Sequence, residues 1–426
     1  MNSVKVEPRR LQGTVSVPPS KSAAHRAIIC AALSGGKSFL RPVALSNDIS
    51  ATIACMRELG ASITLDGDTL TVDGSGLLRH DNNRNIILDC GESGSTLRFL
   101  IPVAASLGVT AEFIGHGRLP ERPIGVFSDC LPEKGIAFDT KGGLPLNISG
   151  RLQSGVYRVP GNISSQFITG LLLALPMLEG DSEIELTSPL QSAGYIDMTT
   201  DIMRSFGVVT SRTPTGWKIK GSQSYSPRSF TIEGDWSQAA FFMTAAALGG
   251  KITINNLDPS SFQGDKACME IYSRFGAVIT EDPSGSITIE HGSLHGTDIN
   301  AENIPDMVPA LAVTAALCEG VTRISGAERL RIKECDRLAA MSDALSRLGA
   351  DIRETPDGLV IKGVKTLRSG SVEGCNDHRI VMAMSVASCR CEGSITISDM
   401  ESINKSYPSF FEDLKKLGGE YNVIMG

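Results

Sequence analysis

Two kinds of stretch alternate along the chain, and the alternation repeats. Apolar runs at helical spacing end in a small-residue turn and pass into a short apolar strand, as in Leu33-Ser34-Gly35-Gly36-Lys37-Ser38-Phe39 and Cys318-Glu319-Gly320-Val321-Thr322-Arg323-Ile324. Gly36, Gly108, Gly180, Gly250, Gly320 and Gly393 mark six such junctions, at successive spacings of 72, 72, 70, 70 and 73 residues. A second stop recurs in the same frame at Gly60, Gly135, Gly207, Gly276, Gly349 and Gly418. Each follows the last apolar position of a helical run, where glycine takes the left-handed conformation at little cost. Two short strands around a turn come next, as in Ala350-Asp351-Ile352-Arg353, Pro356-Asp357-Gly358 and Leu359-Val360-Ile361. Each unit therefore predicts helix, strand, helix, strand, strand, six times over. A linear solenoid is the alternative, but units of about 70 residues are long for one. Two domains of three units suit the 426 residues better, since that length exceeds one ordinary core.

Each unit's first helix is preceded by a polar or glycine-rich turn. In order these are Pro18-Pro19-Ser20-Lys21-Ser22, Gly91-Glu92-Ser93-Gly94-Ser95, Gly161-Asn162-Ile163-Ser164-Ser165-Gln166, Gly234-Asp235-Trp236-Ser237, Ile304-Pro305-Asp306 and Asn376-Asp377-His378-Arg379. Ser, Asp and Asn there serve as N-caps. If the units pack with like orientation, the helix N-termini of a domain gather on one side. Their free N–H groups and dipoles then favour phosphate and carboxylate, which predicts an anion site between two domains.

Composition narrows the partners. With 41% hydrophobic and 20% charged residues the chain reads as a globular protein. A net charge of −7 without a basic stripe argues against nucleic acid, while local cationic motifs suit a small anionic metabolite. The ten cysteines make no CxxC pair, which predicts reduced thiols, no zinc site and a cytoplasmic protein. The N-terminal residues show no apolar signal region, and no window approaches a membrane span.

The densest polar motif is Arg329-Leu330-Arg331-Ile332-Lys333-Glu334-Cys335-Asp336-Arg337-Leu338, directly before a helical run. If the first turn begins near Lys333, then Lys333 and Arg337 share a helix face one turn apart, with Glu334 beside them. Such a group can hold an anion and offer a proton-transfer carboxylate, or it can be a solvated helix start. In Lys21-Ser22-Ala23-Ala24-His25-Arg26, Ser22 and Arg26 share a face with Lys21 at the helix mouth, which suits a phosphate; His25 reads as structural. Gly91–Arg98 follows an apolar strand, and its glycines either let N–H groups approach an anion or serve a tight strand-to-helix turn. Arg122, before Pro123, reads either as a carboxylate or phosphate clamp or as part of a surface loop. Asp306 is an N-cap or a catalytic carboxylate, and Lys405 is a ligand or a solvated lysine. No segment has metal-ligand spacing, a GxSxG elbow or a dinucleotide fingerprint.

In this order and spacing, Pro19-Ser20-Lys21-Ser22, Gly91–Arg98, Arg122-Pro123, Ser164-Ser165-Gln166, Lys333–Arg337 and Asn376–Arg379 closely resemble the 5-enolpyruvylshikimate-3-phosphate synthase family of enolpyruvyl transferases. The resemblance covers essentially the whole chain. It implies an α/β (α+β) fold of two domains, each of three βαβαββ repeats in pseudo-threefold arrangement. It assigns residues 1–19 with 235–426 to a discontinuous domain and 20–234 to an inserted one, with substrates in the cleft between them. The implied reaction moves the enolpyruvyl group of phosphoenolpyruvate to the 5-hydroxyl of shikimate 3-phosphate, without metal or cofactor, in a monomer. By position, Lys21, Ser22, Arg26, Ser164, Ser165, Gln166, Ser192, Tyr195, Asp306 and Lys333 would bind shikimate 3-phosphate. Lys21, Gly94, Arg122, Gln166, Arg337, Arg379 and Lys405 would bind phosphoenolpyruvate. Asp306, Lys333, Glu334 and Lys21 would be catalytic, with Glu334 as acid and Asp306 as base. Glu92 stands where many relatives carry asparagine, and must be protonated, turned away or paired with a cation to spare the anion. Arg329 is a further candidate for the shikimate phosphate. With Gly94 leaving room, inhibition by glyphosate is expected. The related UDP-N-acetylglucosamine enolpyruvyl transferases would carry a cysteine in Gly115–Pro123, where this chain has none. RNA 3′-terminal phosphate cyclases are disfavoured by the charge. A non-catalytic binder of anionic metabolites would have no need of both Asp306 and Glu334.

Overall fold

A computed structural model describes residues 2–77, 85–282 and 285–426. The chain forms two compact units, the segment up to Pro18 together with Glu233–Gly426, and Pro19–Ile232. Each unit has its own continuous apolar core.

The described strands form six four-stranded sheets, three in each unit. In one, Asn85–Asp89 runs parallel to Thr110–Ile114, which pairs antiparallel with Leu146–Gly150, itself paired with Ile136–Thr140. The other sheets repeat this plan, although chain order and sheet membership part at the junctions. Gln12–Ser16 pairs in parallel with Lys251–Asn255, and Ser229–Thr231 pairs in parallel with Lys37–Arg41. Ser3–Val6 lies between Ile395–Ile397 and Tyr421–Ile424, antiparallel to both. Alternation decides which face is covered: Lys37–Arg41 buries Ser38 and Leu40 and exposes Lys37, Phe39 and Arg41.

Twelve α-helices accompany the described sheets, of two kinds. The first helix of each repeat is α1 (Lys21–Leu33), α3 (Gly94–Leu107), α5 (Ser165–Ala174), α7 (Trp236–Ala247), α9 (Val308–Ala316) or α11 (His378–Ala387). These are apolar nearly all round; every residue of α7 and of α9 is buried, as expected for central helices. The second helices are α2 (Asn47–Glu58), α4 (Gly125–Cys130), α6 (Ala193–Ser205), α8 (Cys268–Phe275), α10 (Arg337–Arg347) and α12 (Phe410–Lys416). They lie outside, and α10 buries the stripe Arg337, Leu338, Met341, Ala344 and Leu345. Small residues let the central helices approach: a Cβ on Gly170 of α5 would stand 2.3 Å from the Arg98 carbonyl oxygen of α3.

The two glycine series have different causes. The second-helix stops all take positive φ, as their positions predict, for example 99° at Gly276 and 86° at Gly349. Of the first series only Gly108 and Gly320 do so. Gly250 instead admits a close backbone, since a Cβ there would lie 2.1 Å from the Leu11 carbonyl oxygen.

Candidate functional site

Within Pro19–Ile232, the N-terminal ends of α1, α3, α5 and α6 are tied together by polar side chains. Ser20, Ser93 and Ser164 cap α1, α3 and α5, accepting from the N–H groups of Ala23, Thr96 and Gln166. Lys21 opens α1, and its Nζ lies 2.7 Å from Oδ2 of Asp48 in the first turn of α2. Gln166 donates to Ser95 Oγ at 2.9 Å and accepts from Arg98 Nη1 at 2.6 Å, joining α5 to α3. Arg98 also donates to the Pro123 carbonyl at 3.0 Å, fixing the chain just after Arg122. The Arg122 guanidinium lies directly over the start of α3, where a Cβ on Gly94 would meet its atoms at 2.8–2.9 Å. Ser165 is buried; Ser22, Ser164 and Tyr195 are half-buried; Ser192, with φ of 58°, caps α6 in the left-handed region. Converging N-termini and three nearby cations make this face suited to an anion.

Arg26 also makes contacts that its spacing from Ser22 does not announce. It is 3% exposed and points inward: Nε donates to Thr199 Oγ1 at 2.7 Å, Nη1 to the Ser22 carbonyl at 2.6 Å, and Nη2 to the Tyr195 carbonyl at 3.2 Å. It links α1 to α6 and positions Ser22 and Tyr195. His25 is fully buried, as a structural histidine should be, with Nδ1 2.7 Å from Thr52 Oγ1. Burial, then the charges of Lys21 and Arg26, hold its pKa well below the ordinary histidine value. Glu92 turns toward Gly117, where an added Cβ would stand 2.4 Å from its Oε2.

The second cluster, in Glu233–Gly426, is denser. Asp306 lies in a 3-10 turn before α9 and its side chain makes no cap; its carboxylate takes cations instead. Oδ1 lies 3.0 Å from Arg337 Nη1 and 3.5 Å from Lys333 Nζ, and Oδ2 lies 3.0 Å from Arg379 Nη2. Glu334 Oε2 lies 2.7 Å from Arg337 Nη2. Arg337 thus bridges both carboxylates, and behind it Asp377 Oδ2 lies 2.7 Å from Nε. Burial opposes the charge on Arg337, but Asp377, Glu334 and Asp306 outweigh it and hold the pKa well above the usual arginine value. Arg379 also donates to Ser237 Oγ at 3.0 Å and to the Asp306 carbonyl at 2.9 Å, gathering the starts of α7, α9 and α11.

Three expectations need correction. Lys333 and Arg337 are not one turn apart on a helix: residues Glu328–Ile332 form a 3-10 turn, Lys333 is extended, and α10 starts only at Arg337. Asp336 is the reason, since its carboxylate caps α10 by accepting from the Ala339 N–H. Lys405 is no solvated lysine; it is 5% exposed and its Nζ donates to the Asn376 carbonyl at 2.6 Å. Nor is Arg122 on a surface loop, being 7% exposed after the 3-10 turn Leu119–Glu121. Arg329 donates to the Glu302 carbonyl at 2.6 Å, bracing the chain that leads to Asp306. Reading the sequence missed Asp48, Arg98, Thr169, Thr199, Ser237 and Asp377 as members of these clusters. Among the described residues, no group of three or more His, Cys, Asp or Glu side chains is arranged to hold a metal ion.

Solved structures of enolpyruvyl transferases share this fold. The structure matches that of EPSP synthase from Acinetobacter baumannii with a TM-score of 0.84 and 28% identity, over 100% of both chains. The enolpyruvyl transferase NikO from Streptomyces tendae shares the fold at a TM-score of 0.78 and 18% identity, covering 100% of this chain and 99% of that one. The sequence is 48% identical over 421 residues to 3-phosphoshikimate 1-carboxyvinyltransferase of Clostridium perfringens (98% of this chain, 99% of the relative). It is 46% identical over 426 residues to the enzyme of that name from Clostridium acetobutylicum (99% and 98%). The family model for EPSP synthase (3-phosphoshikimate 1-carboxyvinyltransferase) matches residues 6–414, and the chain belongs to that family.

Proposed function

We propose that the chain transfers the enolpyruvyl group of phosphoenolpyruvate to the 5-hydroxyl of shikimate 3-phosphate and releases phosphate, the shikimate-pathway step towards chorismate and the aromatic amino acids. The observation that carries this reading is the pair of carboxylates, Asp306 and Glu334, on the single guanidinium of Arg337. The reaction needs a base and an acid together. Asp306 takes the proton of the 5-hydroxyl as its oxygen attacks C2 of phosphoenolpyruvate. Glu334 delivers a proton to C3, giving a tetrahedral adduct. Loss of a C3 proton and cleavage of the C2–O bond to phosphate then restore the double bond.

Each cluster carries residues that the family resemblance assigns to these substrates. Ser22, Ser164, Ser165, Gln166, Ser192 and Tyr195 hold shikimate 3-phosphate, with Arg26 positioning Ser22 and Tyr195 from behind. Lys21, Arg122 above Gly94, Gln166, Arg337, Arg379 and Lys405 hold phosphoenolpyruvate. Lys333 adds a proton-transfer group and a charge beside Asp306. Each substrate carries several negative charges, so an excess of Lys and Arg offsets their repulsion. Glyphosate, which is also anionic, competes for the phosphoenolpyruvate cations. The protein works in the cytoplasm as a monomer; its ten unpaired cysteines suit a reducing compartment, and both clusters draw on one chain.

The deciding experiment is phosphate release from phosphoenolpyruvate with shikimate 3-phosphate or UDP-N-acetylglucosamine as acceptor. Release with shikimate 3-phosphate alone is expected. Release only with the nucleotide sugar would move the chain to the sister activity. Silence with both, in folded protein, would leave a metabolite-binding protein.

A further inference from the structure

The guanidinium of Arg379 rests against a side chain to which the proposed reaction gives no part. Ser237 lies in the first turn of α7, buried between Asp235 and Arg379. Its hydroxyl has one proton, which it donates to Asp235 Oδ1 at 2.6 Å. Toward Arg379 the oxygen can therefore only accept, and Nη2 donates to it at 3.0 Å. The same Nη2 lies 3.0 Å from Asp306 Oδ2, and Nη1 donates to the Asp306 carbonyl at 2.9 Å. One guanidinium thus joins the start of α7 to the carboxylate that is the proposed base. Asp235 is buried as well, and its Oδ1 also accepts from the N–H groups of Ser237 and Gln238, capping α7. Its backbone is fixed near the points where the chain passes from one unit to the other. The Asp235 N–H donates to the Pro18 carbonyl at 2.9 Å, and the neighbouring Gly234 carbonyl accepts from Gln263 Nε2 at 2.8 Å.

We propose that Ser237 is a positioning residue of the transfer reaction: its hydroxyl relays the negative charge of Asp235 to Arg379 and so holds that guanidinium at Asp306. A hydroxyl that donates to a carboxylate is polarised by it, and becomes a stronger acceptor on its other side. The bond it takes from Arg379 is in turn charge-assisted, the stronger kind of hydrogen bond. Arg379 is buried, so bulk water does not make good the loss of such an acceptor. The relay starts from a rigid base, since Asp235 is held by its own helix cap and by the Pro18 carbonyl.

Without the hydroxyl, the guanidinium turns on its long side chain, and a cation proposed for phosphoenolpyruvate leaves its place. The Asp306 carboxylate loses one of the groups that orient it at the same time. The cap of α7 survives the change, because Asp235 still accepts from two backbone N–H groups. The effect on substrate rests on the functional reading above; the placement of Arg379 does not.

The test is a double-mutant cycle in the full-length protein, read by steady-state phosphate release and by crystal structures of the variants. Ser237→Ala should raise the KM for phosphoenolpyruvate at least roughly tenfold and barely move that for shikimate 3-phosphate. Asp235→Asn still caps α7, since asparagine caps as well as aspartate, but puts a neutral amide behind the hydroxyl. It should raise the KM for phosphoenolpyruvate by a smaller factor. Combined with Ser237→Ala it should add no more than about twofold, because the relay is already cut. An unchanged KM for phosphoenolpyruvate in Ser237→Ala, or an equal rise for both substrates, would overturn the positioning role. Effects that multiply in the double variant would overturn the relay. If Ser237→Ala does not fold, Asp235→Asn decides alone, and a KM for phosphoenolpyruvate equal to the parent's overturns the proposal. If the parent releases no phosphate with any acceptor, the functional reading fails, and the crystal structures still decide the placement. Arg379 displaced from Asp306 in the variants is the expected result, and Arg379 unmoved would overturn it.

Discussion

Arg337 and Asp377 form an ion pair almost closed to solvent: Nε lies 2.7 Å from Oδ2, and the side chains are 2% and 0% exposed. Arg337 opens α10 and Asp377 caps α11, so the pair also fixes one helix start against another. In such a position, removing one partner leaves a desolvated charge, at a cost of about 3–5 kcal/mol. Glu334 and Asp306 still touch Arg337, which puts Asp377→Leu near the lower end, at about 3 kcal/mol. Urea denaturation should show that loss, and Arg337→Met with Asp377→Leu should be less destabilised than Asp377→Leu alone. A double variant that is worse than the single one would mean the pair adds net stability.

Glu334→Gln keeps a side-chain oxygen to accept from Arg337 Nη2 and removes the proton-transfer carboxylate. Positioned acids and bases contribute about 10²- to 10⁴-fold to rate, so kcat should fall by that order while the KM for shikimate 3-phosphate changes little. Steady-state kinetics decide it. Turnover at the parent rate would remove Glu334 from the chemistry.

How much of this was legible in the sequence depends on how local each signal was. The second-helix glycines announced a conformation of their own, and all six adopt positive φ. The pairing of Gln12–Ser16 with Lys251–Asn255 has no such local mark, because a short alternating strand does not say which edge it will join. The helix start was misread because Lys333 and Asp336 compete within four residues, and only the capping bond to Ala339 decides between them. The clusters' missing members share one property. Asp48 meets Lys21 across 27 positions, Arg98 meets Gln166 across 68, and Thr199 meets Arg26 across 173. Each pair is formed by packing of different helices, which spacing along the chain cannot encode. Arg26 shows the same limit: its i,i+4 relation to Ser22 is legible in the sequence, but its bonds to Thr199 and to the Tyr195 carbonyl arise only from packing against α6.

His25 predicts a pH dependence of stability. Its folded pKa lies well below the usual value because of burial, then Lys21 and Arg26, whereas the unfolded chain titrates near about 6.5. Below that pH the unfolded state binds a proton that the native state refuses. The stability associated with a neutral His25 is therefore fully present above about pH 6.5 and lost as pH falls toward the folded pKa. The loss has a limiting slope of about 1.4 kcal/mol per pH unit. His25→Gln, which can still hydrogen-bond Thr52, should flatten the stability curve between roughly pH 6.5 and 5 relative to the parent. Parallel curves for the two proteins over that range would mean His25 is protonated in the native state.

Gly94 separates packing from substrate binding. It is the first residue of α3 and its φ is not positive, so alanine fits the backbone there and lowers the entropy of the unfolded chain, a gain of about 0.4–1 kcal/mol. The three atoms nearest the new methyl all belong to the Arg122 guanidinium, which it would meet at 2.8–2.9 Å. A guanidinium is the far end of a flexible side chain and can swing aside, but it then leaves the helix start where an anion is proposed to sit. Displacing one charge-assisted contact is worth about 1.5–3 kcal/mol, or roughly tenfold to a hundredfold in affinity. Gly94→Ala should thus melt no lower than the parent, while the KM for phosphoenolpyruvate and the inhibition constant for glyphosate both rise at least roughly tenfold. The KM for shikimate 3-phosphate should barely move. A lower melting temperature with an unchanged KM for phosphoenolpyruvate would instead make the space over Gly94 a matter of packing, and would take Arg122 out of the binding site.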